Sequence, residues 1–353
     1  MRNKILITVF VFCLAVTNAF ADTDDYRDRE LRVVTYNMYL GTDFTEIFTA
    51  QSFPEVVSEV AEAYGDVQAS DPTARIDEIA DQIAASNALV VGLQEVALWR
   101  TGNFNDPAPA ETVSYDFLEL LLAELDERGV HFEAASIQMN FDAELPAAGT
   151  AIVADVRYTD RDVILVRSDA KTSEIKIEGI DGGTFDTLLT LPTVIGPVTV
   201  PRGWTSVDVK MRGKTFRFIN AHTEAFHPLV QYAQAGELMQ GLANTDLPVI
   251  LVGDFNSDAE SGGASYQLFV SSGFADSWDS AHPLDAGYTW PLFLVSPDLF
   301  TSPAGRLDLV MTRGEIDTSN ADVIGEDPVS DTTTNGLRAS DHAGVRADLV
   351  LKP

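Results

Sequence analysis

Short apolar runs bounded by polar or turn residues recur along this chain. Leu31 to Tyr36, Ala88 to Leu93, Asp162 to Val166, Thr205 to Val209, Phe216 to Ala221, Val249 to Gly253, Leu307 to Met311 and Gly344 to Leu351 are too short for core helices and rich in β-branched residues. They predict buried strands. Between them the period changes. Ile76, Ile79 and Ile83 share a helical face in Arg75 to Ala85, and Phe117, Leu118, Leu121, Leu122 and Leu125 do so in Tyr115 to Glu127. Pro228 to Leu242 and Gly263 to Ser271 predict two more helices, and Pro54 to Tyr64 an additional short one. Strands and helices alternate without a Pro/Gly/Ser linker, which argues for one layered α/β domain over 31–353. The Gly-, Thr- and Val-rich segment from Ser173 to Pro201 reads as a hairpin insertion.

The polar residues that interrupt this framework fall at strand ends. Asn37 closes LRVVTYN, Glu95 closes LVVGLQE, His222 closes FRFINAH, and Asp254 and Asn256 follow VILV in GDFN. Asp308 and the pair Asp341–His342 instead precede strands. If those two strands run opposite to the others, all of these groups meet at one rim of the sheet, where α/β proteins usually bind ligands. Each alone has a plain explanation: a cap, an Asx turn or a satisfied core histidine. Their joint placement is what points to a site.

The first twenty-one residues stand apart. Arg2 and Lys4 precede an apolar run from Ile5 to Val16, and Ala19–Phe20–Ala21 has the form of a cleavage site. This predicts a secretory signal peptide and a secreted or periplasmic protein. Cys13, the only cysteine, lies within that leader, so disulfides and thiolate metal sites are excluded from the rest. The formal net charge of −31 disfavours a polyanionic nucleic-acid partner, although a bound cation can invert the local field. No obligate protein partner is implied.

Carboxylates, carboxamides and histidines in this arrangement suit metal-assisted hydrolysis of a phosphate ester. Oxygen donors favour a hard cation, Mg²⁺ first, with Mn²⁺ or Ca²⁺ as alternatives. A carboxylate or histidine activates water, and a carboxylate behind an imidazole fixes its tautomer. Of the five histidines, only His222 and His342 lie at such strand ends, and His131, His227 and His282 lack the spacing of a zinc site.

Taken in order, VVTYNMYLG, GLQEV, NAHTE, GDFNS, GYTWP, RLDLV and SDH resemble the endonuclease/exonuclease/phosphatase superfamily, from Leu31 to the C-terminus. That superfamily includes deoxyribonucleases of the pancreatic type, abasic-site endonucleases, neutral sphingomyelinases and inositol polyphosphate 5-phosphatases. The resemblance implies a four-layer α/β/β/α sandwich with two packed mixed sheets. It implies Glu95 as main metal ligand, helped by Asn37, with Asp341 near the metal. Asp254 would orient or deprotonate the attacking water, Asn256 position the phosphate, and His342 contact it with Asp308 fixing its ring. His222 matches a histidine that abasic-site endonucleases typically lack, which favours the other branches. Ala221 replaces the usual Thr, and Leu309 the usual aromatic. The segment GTAIVADVRYTDRDVILVRSD fits loosely, with Tyr158, Arg157 and Arg161 as candidates for a site residue there.

The expected function is that of a secreted, divalent-metal-dependent phosphoester hydrolase acting on a lipid head group, a soluble ester or nucleic acid. An extracellular nuclease and a non-catalytic binding protein on the same fold are the alternatives. The loop 288–300, with Trp290, Phe293, Leu294 and Phe300, suggests contact with a membrane surface, or else packs on its own domain.

Overall fold

The computed structural model describes residues 30–169, 175–292 and 304–352. The leader and the greater part of the apolar loop 288–300 lie outside these residues. The described residues open with strand β1 (Glu30–Asn37), followed by helices α1 (Thr45–Thr49), α2 (Phe53–Ala69) and α3 (Pro72–Ser86). Strands β2 (Val90–Gln94), β3 (Leu98–Gly102) and β4 (Thr112–Asp116) lead into helix α4 (Phe117–Glu127). A long antiparallel pair follows, β5 (Phe132–Ala148) and β6 (Val153–Arg167). Strands β7 (Ile175–Thr184), β8 (Leu189–Thr193), β9 (Gly196–Val200), β10 (Gly203–Met211) and β11 (Lys214–His222) precede helix α5 (Pro228–Gln240). The remainder comprises β12 (Val249–Asp254), α6 (Ala264–Ser271), β13 (Ala275–Asp276), α7 (Ser277–Ala281), β14 (Asp308–Arg313), β15 (Ile316–Ile324) and β16 (Gly344–Leu351).

Two mixed sheets result. One has the order β15-β16-β1-β2-β6-β3-β4, with β5 also paired to β6; the other runs β13-β14-β12-β11-β10-β7. Each contains one parallel pair, β1 with β2 and β11 with β12, flanked by antiparallel neighbours. The parallel strands are buried on both faces, which is why they read as continuous apolar runs. Leu31, Val33, Val90 and Ile164 of the first sheet pack against Val207, Phe218, Ile250 and Val252 of the second. Val34, Tyr36 and Val91 face the other way, onto α2 and α3 through Val60, Ile76 and Ile79. Ile219, Leu251 and Met311 likewise meet Ala235, Leu238 and Phe269 on α5 and α6. Helices thus cover both outer faces, giving the expected four-layer sandwich.

The apolar inter-sheet layer is interrupted by a carboxamide clamp. Gln94 Nε2 donates to Asn220 Oδ1 (2.6 Å) and Thr35 Oγ1 (3.0 Å), and Asn220 Nδ2 donates to the carbonyls of Leu93 and Val163. Gly92 leaves the space it needs, since a Cβ there would lie 2.5 Å from Val252 and 2.9 Å from Asn220 Oδ1.

Several elements differ from the sequence expectation. The short helix expected at Pro54 to Tyr64 runs through Ala69 over 17 residues, started by Ser52, whose hydroxyl accepts from the Glu55 amide. Only 189–200 forms a separate hairpin; residues 175–184 are the edge strand of the second sheet, paired with β10. β6 extends well before Asp162, because its charged residues are paired and buried: Asp155 takes the amides of Asn105 and Asp106, and Arg161 reaches Asp116. Among the described residues no helix is long and apolar enough to cross a membrane.

Candidate active site

Register places the site. Asn37 pairs with Gln94 at the end of β1 and β2, so Glu95 follows directly; His222 pairs with Asp254, and Asp254 with Asp308. The carboxyl ends of both parallel pairs, and the starts of the antiparallel β14 and β16, therefore lie at one rim. A cavity of about 350 Å³ opens there, lined by Glu95, His222, Asp254, Asn256, Asp341 and His342. Asn37 and Asp308 do not line it. They are buried beneath its wall and act through hydrogen bonds.

Those bonds cross between the sheets. Asn37 Nδ2 on the first sheet donates to Asp254 Oδ2 on the second (3.0 Å). His342 Nδ1, preceding β16, lies 2.8 Å from Asp308 Oδ2 at the start of β14. Burial opposes the His342 imidazolium, but Asp308, Asp254 and Asp341 outweigh it and hold its pKa well above the ordinary histidine value. Burial also disfavours ionised Asp254. The His342 charge, the Asn256 amide and Asn37 overcome this and keep its pKa below the usual value. Asp308 is pushed up to about 6 by burial, with one oxygen left unpartnered.

His222 has the opposite state. Arg202 Nη1 lies 3.1 Å from its Nδ1. A guanidinium has no acceptor, so Nδ1 offers its lone pair and the ring proton sits on Nε2. Burial first, and the Arg202 charge second, depress the His222 pKa to about 3. Its Nε2 faces Asp254 Oδ2 at 3.6 Å. The 3.2 Å approach of Asn256 Nδ2 to that nitrogen is then a contact, since this amide donates to the Thr223 carbonyl at 3.0 Å.

A third group is acidic. Glu95 Oε2 accepts the Leu40 amide (2.8 Å), while burial and the neighbouring Asp341 and Asp160 raise its pKa to about 7. Asp341 and Asp160 are raised as well, chiefly by burial. Carboxylates crowded and desolvated in this way fit a bound cation, which would remove their mutual repulsion. Asp254, Asp308 and His342 also offer one donor atom each within 4.8 Å of one another. There the short Nδ1–Oδ2 hydrogen bond already engages two of the three groups. Glu95 (φ 54°) and Asn256 (φ 48°) are both in the left-handed region, a conformation costing an L-residue roughly 1–2 kcal/mol. Such outliers concentrate where a side chain must be aimed.

Of the candidates from the middle segment, Tyr158 lines the cavity. Arg157 does not; it pairs with Asp142 outside, and Arg161 holds Asp116 and the Val96 carbonyl. Arg202 and Asp160 line the cavity without having been anticipated. Arg202 follows the β8–β9 hairpin in VPRGW, and nothing local marks it. Trp290, 41% exposed, also lines the cavity, its ring centroid 6.3 Å from that of His342; Phe293, Leu294 and Phe300 lie outside the described residues.

The sequence model of the Endonuclease/Exonuclease/phosphatase family matches residues 34–342. No curated protein matches the sequence significantly. Among solved structures, an endonuclease/exonuclease/phosphatase family protein from Bacteroides thetaiotaomicron superposes with TM-score 0.52 at 20% identity, covering 92% of this chain and 98% of that one. A mannosyl-6-phosphatase from the same organism gives TM-score 0.53 at 19% identity, covering 91% and 100%. TDP2 from D. rerio, complexed with a single-strand DNA product, gives 0.51 at 16% identity, covering 91% and 99%. At these identities the structures establish a shared fold.

Proposed function

The chain belongs to the endonuclease/exonuclease/phosphatase family, and from that premise we propose that it is a secreted, divalent-metal-dependent phosphoester hydrolase. The observation that carries this reading is the convergence of Glu95, Asp341, Asp254 and His342 on one cavity, with Asp308 hydrogen-bonded behind His342. Glu95 and Asp341 would hold the cation with Asn37 behind them, and the cation would neutralise phosphate charge. Asp254, ionised and fixed by Asn37 and the Asn256 amide, orients a water and takes its proton. His342, held charged by Asp308, donates from Nε2 to a phosphate oxygen whose negative charge grows in the transition state. His222 adds a neutral donor, and Arg202 a fixed positive charge that needs no reorganisation. Asn256 stands where it can position the phosphate.

The leader-like segment 1–21 supports export, which fractionation of expressing cells would test. The hydrolase reading is tested by assaying bis-p-nitrophenyl phosphate, sphingomyelin, inositol phosphates, plasmid DNA and RNA, each with Mg²⁺, Mn²⁺, Ca²⁺ or EDTA. Turnover of at least one ester with a cation and none with EDTA is expected. Equal turnover with and without chelator would overturn it. An extracellular nuclease is the second reading, favoured by the likeness to a DNA-bound TDP2 structure and opposed by the net charge of −31.

A further inference from the structure

Beside the polar cavity lies a second one of a different character. It is about 120 Å³ and almost wholly apolar, and it shares Phe44, Phe48, Phe141 and Tyr158 with the site. The two adjoin across these four side chains, polar on the Glu95–His342 side and hydrocarbon-lined on the other. The apolar end is built by segments outside the central strands. α1 and α2 supply Ile47 and Val60, β5 supplies Ala143, and the β8–β9 hairpin supplies Ile195 and Val198.

We propose that this groove receives an alkyl chain attached to the substrate's phosphate, so that the substrate is a lipid-like phosphoester. The inference rests on the phosphoester-hydrolase reading and adds the chemical class. Three observations carry it. The residues common to both cavities are all aromatic, so a chain leaving a phosphate held near His342 on that side meets ring faces and edges first and hydrocarbon behind them. The volume is a little below the ~150 Å³ that encloses one benzene molecule, which is room for about six carbons. The groove also leads outward along Ile195 to the hairpin tip, where Val194 and Ile195 are 45% and 41% exposed, so a longer chain continues over apolar surface. A polyanionic nucleic acid would use neither the groove nor the tip, and meets the net charge besides.

The test uses the full chain with Mg²⁺ and a series of p-nitrophenyl alkyl phosphodiesters, methyl through octyl, below their aggregation limits. Water adds across the P–O bond to the nitrophenyl arm, releasing p-nitrophenolate and the alkyl phosphate, so one readout serves the series. Each methylene buried should raise kcat/KM about three- to fourfold, giving a rise of roughly 240- to 1,000-fold over the five methylenes from methyl to hexyl and a plateau beyond. Ala143→Phe fills the groove and Val198→Asp charges it; neither residue lines the polar cavity. Both should turn over the methyl ester within about twofold of the parent while losing the chain-length rise. The second variant, on a separate hairpin, covers the case in which the first does not fold. Methyl-ester turnover with no chain-length dependence would overturn the groove assignment and leave the hydrolase reading standing. Retention of the rise in Val198→Asp would also overturn it. No turnover of any ester with Mg²⁺, Mn²⁺ or Ca²⁺ would overturn both.

Discussion

His222 and His342 place their Nε2 atoms at the same distance, 3.6 Å, from one oxygen of Asp254, yet they carry different charges. The difference comes from what stands behind each ring. Behind His342 is the carboxylate of Asp308, which stabilises an imidazolium; behind His222 is the guanidinium of Arg202, which forbids one. A single carboxylate is thus flanked by a charged and a neutral donor.

This arrangement has an NMR signature. His222 should remain neutral, protonated on Nε2, from pH 8 down to about pH 4, as its depressed pKa requires. Because the unfolded chain takes up this proton near pH 6.5 and the folded one does not, His222 lowers stability progressively as pH falls below that value. Arg202→Met should raise the His222 pKa by removing the adjacent cation. Nitrogen chemical shifts of the histidine rings would check both statements, and a His222 titrating near pH 6.5 in the parent would contradict the assignment.

The Asp308–His342 pair predicts a non-additive kinetic cycle. His342→Ala should lower turnover by about two to three orders of magnitude, since the group acts mainly on the transition state. Asp308→Asn should cost less, because the ring survives with poorer orientation. The double variant should resemble His342→Ala alone, as Asp308 works only through the ring. Strict additivity would show that the two act separately.

For Glu95→Gln, the cation concentration giving half-maximal activity should rise at least tenfold. The substitution keeps size and the acceptor for the Leu40 amide while removing the ligand charge. Titration with Mg²⁺ at saturating substrate measures this, and an unchanged requirement would remove Glu95 from the cation seat.

Gly253 cannot carry a side chain. Its φ is +148°, and a Cβ would fall 1.9 Å from the Ala221 carbonyl oxygen on the neighbouring strand. Gly253→Ala should therefore destabilise the fold by about 3–5 kcal/mol, read by urea denaturation. A loss below 1 kcal/mol would mean that the strand pair relaxes freely.

Arg75 is fully buried and paired to backbone rather than to a carboxylate. Its guanidinium donates to the carbonyls of Ser70, Met38, Ala339 and Tyr39, tying the loop after Asn37 to the loop before Asp341. Arg75→Met leaves those carbonyls unpaired and should cost about 3 kcal/mol, with lower activity from the loosened rim. Unchanged melting and turnover would count against this role.

The residues at strand ends were legible because an apolar run that stops at a carboxylate or carboxamide is a local signal. Their meeting was not local: Asn37 and Asp254, now hydrogen-bonded, are 217 positions apart. Taking the two late strands as antiparallel supplied that step, and the family resemblance supplied the second sheet. β5 escaped notice because its pattern is inverted in part, with Ser136 and Asn140 buried while Ile137 and Met139 are exposed, and the first half of β6 because paired aspartates and arginines hide a buried strand. Arg202 and Asp160 escaped for a different reason. One precedes β10 and the other lies within β6, so neither ends an apolar run, and only packing brings them to the rim.

Each sheet holds half of the site. Asn37, Glu95, Asp341 and His342 belong with the first, and His222, Asp254, Asn256 and Asp308 with the second, joined by the Asn37–Asp254 and Asp308–His342 bonds. The proposed cation seat and the proposed water-orienting carboxylate therefore arrive on different halves of the chain's architecture. During refolding, either sheet formed alone would be silent in an activity assay, however native its strands. Recovery of turnover would time the docking of the two sheets, while far-ultraviolet circular dichroism would time their formation, and the interval between the two signals would be the lifetime of an undocked intermediate.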